Sequence, residues 1–205
     1  RGPPARWWTR RGASEGEPGS AYNSPDYVID TLNAREALRA SEFVDRDAIG
    51  LWGHSMAGNV TFRSFVAAKD IPALVIWAGA TYSYEDLAKY GLNDNSYRPP
   101  SNRVEVQRRR SQLRETYGEF SLESEFWRQV APTNYLEGVE GAIQVHHSVD
   151  DAVVNVGYSR DLMSILDKTT IPHELYEYPT GGHNISGAPF SQAMARTVEF
   201  FIGRD

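Results

Sequence analysis

The chain has no cysteine among its 205 residues. Disulfides and thiolate catalysis are therefore excluded, although the compartment is not fixed by that absence. No apolar run approaches the roughly 18 residues that a membrane-spanning helix needs. There is no excess of positive charge either. Lys and Arg total 21 against 27 Asp and Glu, for a net charge of -6. Nucleic-acid binding wants a basic stripe, and none is visible. The densest basic run, Arg108-Arg109-Arg110, lies in a polar, helix-prone stretch with Glu105 and Glu115 close by, and reads as a solvated helix face. No internal repeat and no signal peptide are evident, and the lack of a signal peptide favours the cytoplasm. What is present is ample core material: 40% of residues are hydrophobic and 12% aromatic, in a length that suits a single domain.

Alternation of element types is the main organising pattern. Residues 12–24 are rich in Gly, Ser, Glu and Pro and read as a loop. Ser24-Pro25-Asp26 then offers a capping signal. Val28, Leu32, Ala34, Leu38 and Phe43 fit one apolar helical face running to about residue 43. Two apolar runs, Ala48 to Trp52 and Ala73 to Ala78, read as buried strands, and Ala142 to His146 and Glu174 to Tyr178 read as a third and a fourth strand. Helical patterns lie between and after them, at Asn59 to Ala68, Val156 to Leu166 and Phe190 to Ile202. In the last, Ala193, Met194, Thr197, Val198 and Phe201 are expected to face inward. Strands alternating with helices predict an α/β fold with a mostly parallel sheet flanked by helices. Residues 81–138 break the alternation. They are polar, aromatic and helix-prone, and too long for a simple connection, so a helical cap inserted into one 1–205 domain is expected.

The most informative stretch is Gly50-Leu51-Trp52-Gly53-His54-Ser55-Met56-Ala57-Gly58. A short apolar run ends in a small-residue turn with a serine at its apex, and a helical segment follows. That is the layout of a nucleophile elbow. The turn forces strained backbone angles on the serine, and only small residues fit two positions either side. Gly53 and Ala57 hold those places.

A serine hydroxyl needs a base in contact and a third group to orient that base. Only five histidines exist. His54 adjoins the serine, and neighbours on a sharp turn point apart. His146 and His147 end a strand, and His173 begins one. His183 lies in the loop Pro179-Thr180-Gly181-Gly182-His183-Asn184, after the last strand and before the last helix. That loop falls at the C-terminal edge of the sheet, where ligands of open α/β sheets gather. His183 is the expected base. The acid should follow a strand between serine and histidine, and Asp150 or Asp151 fits. The two histidines and two aspartates of 146–151 also have the chemistry of metal ligands, but adjacent side chains rarely converge on one ion, and no metal is expected.

With these segments placed, the chain resembles the α/β-hydrolase superfamily, in particular the prolyl-oligopeptidase-like branch of peptidases and esterases. The resemblance runs from about Gly12 to Ile202. Gly50 to Gly58 is similar to that branch's nucleophile segment, apart from Ala57. His146-His147-Ser148-Val149-Asp150-Asp151 resembles its acid segment, which begins His-Gly and carries the acid four residues after the histidine. That register implies Asp150 as the acid, with His147 in place of the glycine. Gly182-His183-Asn184 resembles its histidine loop. Phe126 to Arg128 and Ala131 to Leu136 resemble the end of its cap region.

The resemblance implies a serine hydrolase of carboxylic esters, with Ser55, His183 and Asp150 as the triad, the Met56 N–H in the oxyanion hole and no cofactor. A small-molecule ester is the implied substrate, and His54, Tyr82 and Trp127 are expected nearest to it. Aromatics of the cap (Tyr82, Tyr84, Tyr90, Tyr97, Phe126, Trp127) are candidates for lining an acyl pocket. Short-peptide or amide hydrolysis is the alternative. Members of the branch carry several strands ahead of the segment that matches Gly12, including the loop that gives a second oxyanion donor. The fold is therefore expected to be truncated at its N-terminus. Losing one such donor costs about two to three orders of magnitude in rate. The Ser55 strand would then have an unpaired edge, a template for homodimerisation, and an inactive, assembling fragment is the third reading.

Overall fold

The computed structural model describes residues 24–91, 100–119, 121 and 123–203. Tyr97 and the expected loop before Ser24 lie outside them. Among the described residues the α-helices and strands follow one another as α1 (Asp26–Arg39), β1 (Leu51–His54), α2 (Met56–Ala68), β2 (Ala73–Trp77), α3 (Tyr84–Tyr90), α4 (Pro100–Tyr117), α5 (Glu125–Gln129), β3 (Ala142–Ser148), α6 (Gly157–Leu166), β4 (His173–Tyr178) and α7 (Ala188–Ile202). The strands form one sheet in the order β1-β2-β3-β4, and every pairing is parallel. Parallel strands must be joined by crossovers, and the helices supply them. All four strands therefore end on the same edge. No helix among the described residues is long and apolar enough to cross a membrane.

Alternation within the strands separates two cores. Leu74 and Ile76 of β2, with Ile143 and Val145 of β3, face Phe62, Phe65 and Val66 of α2 and Tyr158, Leu162 and Leu166 of α6. Ala73, Val75 and Trp77 point the other way, towards Ala193 and Phe200 of α7. Strands buried on both faces carry continuous apolar runs rather than alternation. β2 is buried at all five positions, as Ala-Leu-Val-Ile-Trp predicts. Outside this sandwich α1 packs on α2, and Arg35 reaches Asp70 at 2.7 Å.

Several boundaries differ from expectation. α1 stops at Arg39, and Phe43 lies beyond it, 89% exposed. β1 begins at Leu51 rather than Ala48 because its partner begins at Ala73, and the register pairs Leu51 with Leu74. A side chain at Gly50 would meet the Phe201 ring at 2.5 Å, so the approach to β1 is packed tight without being ladder. β3 continues two residues past His146. On α7, Phe200 is buried and Val198 exposed.

Between β2 and β3 the described residues include the helices α3, α4 and α5 and a 3₁₀ turn, Pro132–Tyr135. Ser83 caps α3, accepting the Asp86 N–H at 3.2 Å. Lys89 and Tyr90 both donate to Asp161 of α6 at 2.8 Å. The Asp86 side chain is buried at this junction. Burial, reinforced by the charge of Asp161, raises its carboxyl to about 6. A carboxyl whose folded value exceeds its unfolded one stabilises the fold below the unfolded value and loses that contribution as pH rises through the folded one. Above pH 6 an ionised Asp86 is a cost. Asp86→Asn is expected to raise Tm by about 5 °C at pH 8 and to change it little near pH 4.5, read by thermal melts at both pH values.

Candidate active site

The edge where the strands end holds the candidate residues. β1 leads into Ser55, whose backbone sits at φ 56° and ψ -121°, and α2 starts at the next residue. A non-glycine residue in that region is strained, and such strain persists only where the surroundings over-determine it. They do so here. The Ser55 N–H extends the ladder by donating to the Trp77 carbonyl at 2.8 Å. A Cβ at Gly53 would lie 2.4 Å from the Ala57 carbonyl oxygen and 2.5 Å from Thr61 Oγ1, so that position admits only glycine. Thr61 also donates its hydroxyl to Ala57 at 2.8 Å. Ala57 is half-buried at the edge of this contact, which leaves space for its methyl where glycine is commoner.

Beyond β4, Gly181 and Gly182 take positive φ and carry the chain into a 3₁₀ turn, Gly182–Asn184. His183 sits in that turn, 128 residues from the serine in sequence, and its Nε2 is 2.8 Å from Ser55 Oγ. Its Nδ1 is 2.9 Å from Asp151 Oδ2. A carboxylate only accepts, so Nδ1 carries the hydrogen and Nε2 is left to accept the serine proton. The Met56 N–H lies at the start of α2, where no carbonyl of its own helix can reach it and the helix dipole is positive.

The acid position corrects the sequence reading. Asp151, not Asp150, meets His183. β3 runs through Ser148, the Asp151 N–H bonds back to the Ser148 carbonyl, and the turn aims Asp151 inward. Its side chain is fully buried. Oδ1 accepts the N–H groups of Val153 and Val154 at 2.8 and 2.9 Å. Burial alone raises this carboxyl, but hydrogen bonds from His147, His183 and the two amides outweigh it and hold it well below the usual carboxylate range. Asp150 is exposed and does other work. Its carboxylate accepts the N–H groups of Gly181 and Gly182 at 3.3 and 2.8 Å, pinning the loop that carries His183. The histidine four residues before the acid is therefore His147, and Ser148 rather than His147 stands where the glycine was expected.

The residues expected nearest a substrate fare differently. His54 Nε2 lies 2.8 Å from the His183 carbonyl and donates to it, so this ring braces the histidine loop. Burial lowers its pKa and favours the neutral form. Tyr82 is fully buried and packs edge-on against Phe62, as part of the core beneath the site. Trp127 is buried too and donates its indole N–H to the Gly118 carbonyl. Tyr82 is thus 0% and Trp127 8% exposed. Tyr90 is spent on α6, through Tyr158 and Asp161.

This arrangement can be set beside known proteins. The family model for BAAT / acyl-CoA thioester hydrolase C terminal matches residues 32–204. The chain belongs to that family. Its fold is shared with larger hydrolases. Dipeptidyl peptidase 4 of Porphyromonas gingivalis aligns with a TM-score of 0.64 at 17% identity, over 88% of this chain and 23% of that one. The acylaminoacyl peptidase of Pyrococcus horikoshii gives 0.61 at 20% identity, over 87% and 27%. A dienelactone hydrolase from Klebsiella pneumoniae gives 0.56 at 14% identity, over 86% and 60%. The fold is thus that of the α/β-hydrolases, prolyl-oligopeptidase-like, and corresponds to its C-terminal part. The chain spans about a quarter of the length of the two peptidases.

Proposed function

We propose that this member of the thioester hydrolase family hydrolyses carboxylic esters or thioesters through an acyl-serine intermediate. The observation that carries the reading is the unbroken line from Ser55 Oγ through His183 to Asp151, with contacts of 2.8 and 2.9 Å. Ser55 attacks the acyl carbon as its proton passes to His183 Nε2. The Met56 N–H donates to the oxyanion that forms. Collapse expels the alcohol or thiol, which leaves with the proton from His183, and the acyl group remains on Ser55. Water then attacks the acyl-serine, giving its proton to His183, and the carboxylic acid departs as the proton returns to Ser55. Asp151 holds the Nδ1–H tautomer throughout and stabilises the transient imidazolium.

A fluorophosphonate probe tests the reading directly. One equivalent is expected to attach per chain, at Ser55 by peptide mapping, and ester and thioester substrates should turn over faster than the amide of the same acyl group. A folded chain that takes up no probe would overturn the proposal.

A further inference from the structure

Asp151 is held by a second imidazole. His147, the sixth of the seven residues of β3, is wholly enclosed, and its Nε2 lies 3.2 Å from the same Oδ2 that receives His183. That nitrogen is also 3.0 Å from the Val154 carbonyl oxygen. Both neighbours are acceptors, so Nε2 must carry a hydrogen. Nδ1 is 2.7 Å from the Ser159 hydroxyl on α6. The ring is thereby held with its Nε2–H on Asp151 and Val154, and both nitrogens have partners. The line of contacts runs Ser55, His183, Asp151, His147, Ser159, from one face of the sheet edge to the first turn of α6.

We infer that His147 is a positioning residue that tunes the base: by donating to Asp151 Oδ2 it draws charge from the carboxylate that His183 depends on, and so keeps His183 unprotonated to lower pH. This rests on the proposed roles of Ser55, His183 and Asp151. The direction follows from electrostatics. A carboxylate sharing its charge with an extra N–H stabilises an imidazolium less well. The other groups around these rings are few. His54 lies against His183, with ring centroids 4.8 Å apart, and Asp150 holds the backbone beneath it. Glu177 of β4 is paired in register with His147, and its carboxylate is tied to Arg160 at 2.6 Å.

The test compares wild type with His147→Met, which keeps bulk and removes the donor, and His147→Gln, which keeps a donor at the same reach. The readout is the pH dependence of fluorophosphonate labelling at Ser55. In His147→Met the acidic limb is expected to move up by about 0.5–1 pH unit, and His147→Gln should return it most of the way. A packing role alone would lower Tm in His147→Met and leave the limb in place, and that result would sink the inference. Should His147→Met not fold, nitrogen-15 histidine spectra of the wild type decide. The His147 imidazole should keep its Nε2–H while its shifts follow the titration of His183, and a His147 that ignores that titration contradicts the inference. Failure of wild type to label at all would instead refute the proposed function.

Discussion

Ser55→Ala is expected to remove all but a trace of turnover. In a working Ser-His-Asp site, loss of the nucleophile costs on the order of a millionfold in kcat. The effect should be large because nothing else in the neighbourhood can substitute. His54, the adjacent side chain, spends its Nε2–H on the His183 carbonyl. The structural cost should be small. Ser55 holds its strained φ of 56° through its backbone N–H to Trp77 and through the absence of space at Gly53, neither of which involves the hydroxyl. Initial rates with a p-nitrophenyl ester, alongside circular dichroism, check both halves. A folded variant retaining a tenth of wild-type turnover would mean that the acyl group is never carried on Ser55.

The second large effect separates two adjacent aspartates. Asp151→Asn should lower kcat by about four orders of magnitude, because an amide in that place presents a donor to His183 Nδ1 and favours the wrong tautomer. It also places an NH₂ near the Nε2–H of His147 or near the amides of Val153 and Val154, whichever way it turns. Asp150→Asn keeps an acceptor for the Gly181 and Gly182 amides and touches no part of the imidazole, so a loss of no more than about tenfold is expected. Steady-state kinetics on the pair read the contrast. A larger loss at Asp150 would restore the assignment that the family resemblance implies.

The two aspartates mark where the sequence is legible and where it is not. The elbow could be read because its constraints are local: a Cβ at Gly53 collides with Ala57 and Thr61, all within nine residues. His183 could be read by elimination, since the other histidines are tied to strands or to the elbow. The acid could not, because choosing between Asp150 and Asp151 depends on how far β3 runs, and that is decided by pairing with β4 through Ser148 and Tyr178. For the same reason β1 begins three residues after the apolar run does, since pairing with β2 rather than the onset of apolar residues defines it. Tyr82 and Trp127 mislead in another way. An aromatic is equally suited to a pocket wall and to a core, and only their burial distinguishes the two. Phe43 carries the helical spacing of α1 past its true end, because periodicity cannot report that a helix has stopped. His147 stands four residues before Asp151, a separation at which a strand end and the turn after it can meet.

The order in which the site can come into being follows from its parentage. Its three side chains hang from the ends of β1, β3 and β4, which are neighbours only through a completed sheet. Parallel strands pair across long stretches of intervening chain, so their closure is slow and cooperative compared with the forming of α2 or α7. The Ser55–His183 contact closes a loop of 128 residues that includes every segment from α2 to β4. Helix content can therefore return early in refolding while the serine still lacks its base. The hydrogen bond between them is a signature of the finished fold rather than of any part of it.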